Sequence, residues 1–479
     1  MPAIGYAKRH VSDQQSTETE YRELGGNASM TTSVAVLTAL AASAGIANGY
    51  NGFVLEGAIP RLKIAGMVSS TWQSGLLGGS LSIGGLMGSL ACTELAYRLS
   101  RRSMVVVGEL CIIISVAAFA LAPSFFICLL GRILLGFGVG ICGLAKPLIV
   151  SEQSPPHLRG FLVSLFAVGQ SVGLNIFYVV DWALPPASVT WVWRVLVALG
   201  ATPAVLVTAL ALSGRTAPPS AYWDVPPSTA AREAASATAA LPVASTEEEL
   251  LHGKAEAREA EAPAAEAPTL FSLLAEPYEV RRNFGLIIAL MLGYNLSGTL
   301  VIANYAGELF ASAGESSREL PILIGAVQFL GLLSATWGID RLGRRPLLLW
   351  SCALTAACLF SIAAVIGLRH SLSPLLGDMQ TPLLLTLMAA VEYAVGAGLN
   401  PVRIVLSAEL MPNRYRSLGM ALGNAVGWTL ALLSLFFFPV LSAMLGGPAP
   451  QFAFFGAVVA ALTILLVYML PETRGIDFG

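Results

Sequence analysis

The chain has 479 residues, 55% of them hydrophobic and only 12% charged, with a formal net charge of −2. A soluble domain carries about 25% charged residues, so a water-soluble globule of this size is excluded: its surface could not be covered. The apolar residues come in blocks of about twenty, the helix length that crosses a hydrocarbon core, and the chain reads as a polytopic membrane protein.

Residues 1–30 are a polar tail of mixed charge. Its acids Asp13, Glu18, Glu20 and Glu23 argue against a transit peptide, and no cleavable signal peptide is expected. Six spans follow at about 31–53, 72–95, 104–123, 125–149, 161–183 and 191–213. Residues 214–282 interrupt the pattern. Rich in Ala, Glu, Pro and Ser ("STEEELLHGKAEAREAEAPAAEAP"), they hold too few apolar groups to pack a core. They read as a cytosolic linker, disordered or partly helical near 246–262. Six more spans lie at about 283–305, 320–339, 346–368, 382–408, 417–443 and 450–470. The expected organisation is all-α: a tail (1–30), a six-helix bundle (31–213), the linker (214–282), a second six-helix bundle (283–470) and a tail (471–479). Cys92, Cys111, Cys128, Cys142, Cys352 and Cys358 all sit inside apolar blocks, as small packing residues do, and the four histidines are scattered. Neither a disulfide framework nor a metal site is expected.

The loops after the second, fourth, eighth and tenth spans hold Arg98, Arg101, Arg102, Arg159, Arg341, Arg344, Arg345, Arg414 and Arg416. The opposite side offers Arg61, Lys63, Arg318 and Arg369. Basic residues concentrate in cytosolic loops, so both termini and the linker are expected in the cytosol. The Asn27-Ala-Ser sequon then lies on the cytosolic side.

Two stretches share one grammar. "SEQSPPHLRG" (151–160) returns as "SAELMPNRYRS" (407–417), with Glu152, Pro155 and Arg159 matching Glu409, Pro412 and Arg416 at a constant offset of 257 positions. Likewise "YRLSRRSMVVVG" (97–108) follows the second span and "DRLGRRPLLLWS" (340–351) the eighth. Matching loops in two six-span halves are the mark of parallel repeats about an axis along the membrane normal, with the solute site near the midplane between them.

"GRILLGFGVG" (131–140), "SEQSPPHLRG", "DRLGRRPL" (340–347), "AELMPNRYRS" (408–417) and "PETRG" (471–475) together resemble the sugar porters of the major facilitator superfamily. The resemblance implies a fold of twelve transmembrane helices as two six-helix pseudo-repeats. It also implies a cytosolic gate, in which the acids Glu152 and Glu409 meet Arg98, Arg102, Arg159, Arg341, Arg345 and Arg416 while the site faces outward. Asp340 fits the family's acid before the first arginine of the loop. The first-half loop has Tyr97 there, and Glu94, one helical turn before Arg98, stands in. Exposed pairs contribute little singly, but a shielded cluster can bias a two-state fold. The competing reading of these arginines is that they only set topology.

The resemblance also marks solute-contacting positions. In the first span, proton-coupled porters tend to carry aspartate where this chain has Asn51, with Arg132 as the partner; an amide cannot shuttle a proton, so uniport is favoured. If protons are coupled, Glu56 or Glu392 takes the role. Sugar hydroxyls lose water on binding and need amides and aromatics in return. Tyr294, Asn295 and Asn304 lie in the seventh span, Gln328 in the eighth, Asn400 in the tenth and Trp428 in the eleventh; Gln170 lies three residues past the family's glutamine position, here Ala167. Each could equally serve interhelical packing. Lys146 and Arg403 are symmetry mates at the 257 offset and depart from the family. Two readings stay open for them: snorkelling or gate pairing across about 9 Å of helix, or recognition of an anion.

The function expected is transport of a small polar solute, a hexose or polyol, by alternating access. One alternative is an organic or phosphorylated anion read by Lys146 and Arg403. Another is a non-transporting nutrient sensor, against which the short tail past "PETRG" argues. No nucleophile–base set or phosphate loop points to an enzyme. No cofactor, metal or nucleic-acid partner is expected; the partners are the solute and the bilayer, and the protein is read as a monomer.

Overall fold

The computed structural model describes residues 27–153, 159–185, 191–212, 270–312, 319–368 and 379–470. Most of both tails and most of the linker, including the helix expected at 246–262, lie outside these residues.

An unpaired backbone amide in hydrocarbon costs several kcal/mol, so a spanning segment closes its own hydrogen bonds as helix. The first half holds α1 (Asn27–Phe53), α2 (Leu55–Ile64), α3 (Thr71–Arg98), α4 (Arg101–Ala120), α5 (Phe125–Gln153), α6 (Arg159–Ala183), α7 (Val192–Leu199) and α8 (Thr202–Leu212). The second half holds α9 (Leu270–Ala275), α10 (Tyr278–Asn295), α11 (Thr299–Ser312), α12 (Leu320–Leu342), α13 (Arg344–Gly367), α14 (Gln380–Ala394), α15 (Asn400–Glu409), α16 (Asn413–Met444) and α17 (Ala449–Met469). Ten helical runs among the described residues are long and apolar enough to cross a membrane. The spans expected at 31–53 and 320–339 are helical, as α1 and α12, but fall outside that ten.

Five local features depart from the sequence expectation. The loop after the first span carries α2, whose Leu55 and Leu62 are buried. The end of the linker is helical as α9 and the start of α10, and Leu273 joins the second core. Span 191–213 is broken at Gly200–Ala201. Span 283–305 is broken at 296–298, where Gly298 takes φ +81°, a left-handed conformation that disfavours other residues. Span 382–408 runs through a π-helical turn, Val395–Leu399, between α14 and α15; such turns recur at functional sites.

Each half has its own core. Leu55, Leu77, Phe119, Phe177 and Trp193 anchor the first, and Leu286, Leu348, Leu359, Met388 and Phe452 the second. Lipid tails are as apolar as leucine, so helices associate through close backbone approach at small residues. α3 packs on α5 in this way: a Cβ on Gly84 would strike the Ile133 carbonyl oxygen, and one on Gly136 the Leu81 carbonyl oxygen. α1 packs on α6 through Gly49 and Gly173. In the second half a Cβ on Gly331 of α12 would meet the Tyr393 carbonyl oxygen, and one on Gly396 the Gln328 carbonyl oxygen. The halves meet along α3 with α16 and along α6 with α12.

Candidate functional site

Asn51 is buried on α1. Its Nδ2 donates to the carbonyls of Ala47 (2.9 Å) and Gly200 (2.9 Å), which ties α1 to the break between α7 and α8. Arg132 of α5, also buried, donates from NH1 to the backbone oxygen of Asn51 at 2.7 Å. The two residues expected as partners are together, but the contact runs through the Asn51 carbonyl, leaving the side-chain amide to hold the helices. Gln170 lies half-buried on α6, with its backbone against Gly45 and Gly49.

Lys146 does not snorkel. Its side chain is 1% exposed, and its Nζ pairs with Glu109 of α4, itself 0% exposed. Sequence reasoning missed Glu109. The available signal was that Glu109 is the one acid in the span expected at 104–123, so an intramembrane cation on the next span had a partner within reach. Beside Lys146 lies a small internal cavity bordered by Asn48, Cys142 and Phe166.

The second half gathers a polar cluster from α10, α12, α14 and α15. The Arg403 guanidinium lies 3.9 Å over the Tyr294 ring. Its NH2 donates to Asn400 Oδ1 at 3.1 Å, and its NH1 contacts Met291 Sδ at 3.3 Å. No acid pairs with Arg403 among the described residues. Gln328 donates from Nε2 to Glu392 Oε2 at 2.7 Å, and Glu392 is fully buried. The other carboxylate oxygen, Oε1, is buried without a hydrogen-bond partner. Asn295 and Asn304 each turn Nδ2 back onto the carbonyl one helical turn earlier, Met291 (2.8 Å) and Leu300 (2.9 Å).

Several contacts bridge the halves. Trp428 Nε1 and Asn424 Nδ2 both donate to Ser89 Oγ at 3.1 Å, and the Trp428 ring lies against Gly85. Ser89 had no signal of its own in the sequence. On α6, Asn175 Nδ2 donates to the Gly325 carbonyl (3.1 Å), Tyr178 to the Ala303 carbonyl (3.0 Å) and Trp182 to Glu319 (3.1 Å). These three α6 contacts lie toward the end of the molecule away from the arginine loops. At that same end Arg61 of α2 donates to Asp181 of α6 at 2.5 Å.

At the arginine end, the side chains of Arg98, Arg102, Arg341 and Arg345 are described, and Arg345 NH2 donates to the Val467 carbonyl at 2.7 Å. The side chains of Glu94, Glu152, Arg159, Asp340, Glu409 and Arg416 lie outside the described residues. Among the described residues, no group of three or more His, Cys, Asp or Glu could hold a metal ion.

Residues 8–479 match the family model described as sugar (and other) transporter. The chain is 28% identical over 457 residues to polyol transporter 5 of Arabidopsis thaliana, covering 91% of this chain and 83% of that protein. It is 26% identical over 444 residues to the galactose-proton symporter of Escherichia coli (strain K12), covering 91% of each. In three dimensions it matches the inward open conformation of the xylose transporter XylE from E. coli with a TM-score of 0.70. The identity there is 20%, with 92% of this chain and 97% of that chain covered, a likeness that shows the major facilitator fold.

Proposed function

The chain belongs to the sugar (and other) transporter family, and on that premise we propose that it moves a neutral hexose or polyol by alternating access, as a facilitative uniporter. It is a multi-pass membrane transporter and not an enzyme. The solute class is supported by relatives named for polyols and sugars. It is also supported by Lys146, whose charge inside the bundle is neutralised by Glu109.

The observation that carries uniport is Asn51. Its amide is engaged by two backbone carbonyls and does not titrate, so it cannot take up and release a proton. Solute binds between two six-helix bundles, 31–213 and 283–470, against Gln170, Tyr294, Asn304, Gln328, Asn400 and Trp428. Both termini and the linker are cytosolic. Glu152, Glu409 and the loop arginines hold the cytosolic end closed when the site faces outward. Arg403, without an acid partner among the described residues, supports a second reading in which the solute carries a negative charge.

The test is tracer uptake into liposomes screened across hexoses, polyols and organic anions, with Arg403→Gln alongside. Uptake of hexoses or polyols that anions do not inhibit supports the first reading. Uptake of anions alone, lost in Arg403→Gln, replaces it with the second.

A further inference from the structure

We infer that Glu392 is a positioning residue: it holds the Gln328 amide with its carbonyl oxygen toward the solute, so that this position accepts a hydrogen bond from one solute hydroxyl. The inference rests on the reading above, in which Gln328 lines the solute path.

The geometry is specific about which way the amide faces. Gln328 Nε2 lies 2.7 Å from Glu392 Oε2. When ionised, the Glu392 carboxylate only accepts hydrogen bonds, and it then takes the NH2 group of the amide, as the Nε2–Oε2 contact has it. Turning the amide over would set two acceptors against each other. Gln328 Oε1 therefore points away from Glu392; it accepts no hydrogen bond among the described residues, and the side chain is half-buried. Backbone packing enforces the arrangement. Gly331 sits against Tyr393, next in sequence to Glu392, and Gly396 of the π-turn sits against the Gln328 carbonyl. A Cβ at either glycine would force α12 and α14 apart and separate the pair.

A buried acid is an expensive way to fill this space. Glu392 is fully buried, has no cation on it among the described residues, and leaves Oε1 without a partner. A buried intramembrane acid of this kind is a candidate functional group. Its place supports a role toward solute. Gln328 lies one helical turn along α12 from Gly325, where Asn175 and Tyr178 of the other half make contact. A neutral methionine would pack as well but would leave the amide free to turn.

The experiment is competition against a transported hexose or polyol tracer by a series of analogues, each with one hydroxyl replaced by fluorine, which cannot donate. In the wild type, fluorination at one hydroxyl is expected to weaken competition about tenfold, the loss of one hydrogen bond of about 1.4 kcal/mol. In Glu392→Met the amide can offer its NH2 instead, and that penalty should fall below about threefold. Glu392→Gln, which preserves the shape but can also donate a hydrogen bond, should show the same loss. A penalty as large in Glu392→Met and Glu392→Gln as in the wild type overturns the inference. So does a wild type that tolerates fluorine at every hydroxyl. Protonophore-sensitive uptake that becomes insensitive in Glu392→Gln also overturns it, making Glu392 a proton carrier. A wild type that transports neither hexose nor polyol removes the transport reading itself, and this inference with it.

Discussion

Lys146 on α5 holds its Nζ against the carboxylate of Glu109 on α4, with both side chains almost fully withdrawn from solvent. Removing one partner of a buried pair leaves an uncompensated charge and costs about 3–5 kcal/mol. Glu109→Gln and Lys146→Met should each lower the thermal unfolding midpoint of the detergent-solubilised protein, and the double variant should recover most of the loss. Singles as stable as the wild type would show that the pair contributes nothing.

The glycine contacts separate packing from mere presence in a helix. Gly84→Ala and Gly136→Ala put a methyl group against a carbonyl of the facing helix, and overpacking of this sort costs about 1–3 kcal/mol. Gly143→Ala, with nothing within 4 Å of its new Cβ, should leave the midpoint in place or raise it slightly, because alanine has the better helix propensity. The comparison is one of unfolding midpoints; equal shifts at all three sites would exclude close α3–α5 packing as the cause.

The cytosolic gate predicts a change of conformational population. On the proposed gate, Glu409→Gln and Arg341→Ala would remove charges that favour the outward-facing state. A few kcal/mol is enough to invert a two-state equilibrium. Cysteines introduced on the cytosolic side of the central path should then be modified faster, by threefold or more, than in the wild-type background. Unchanged labelling would leave these residues as topology determinants.

Uniport predicts independence from a proton gradient. With Asn51 in place of an acid, initial uptake into liposomes at constant external pH should not change when a protonophore is added. Replacing Asn51 with Asp should test the same locus from the other side. The carboxylate would face the Ala47 and Gly200 carbonyls that the amide now satisfies, and it would lose those two hydrogen bonds. Collapse of wild-type uptake by the protonophore would sink the uniport reading.

The all-helical membrane fold was legible in the sequence because it depends on a one-dimensional property, the length of apolar runs; the arginine-rich loops and the constant offset between motifs carry the expectations of sidedness and repeat in the same one-dimensional way. Asn51 and Arg132 could be named as neighbours from the family resemblance. That Arg132 meets the Asn51 carbonyl and not its amide followed only from the break at Gly200, whose carbonyl takes the amide. Lys146 and Arg403 make the point most directly. In the sequence they are equivalent, 257 positions apart in matching spans. In the folded protein Lys146 meets an acid from α4, whereas Arg403 meets the Tyr294 ring from α10 and Asn400 on its own helix. A buried charge takes its partner from whichever helix lies beside it, in the rotation that helix adopts, and that choice exists only once the helices have packed.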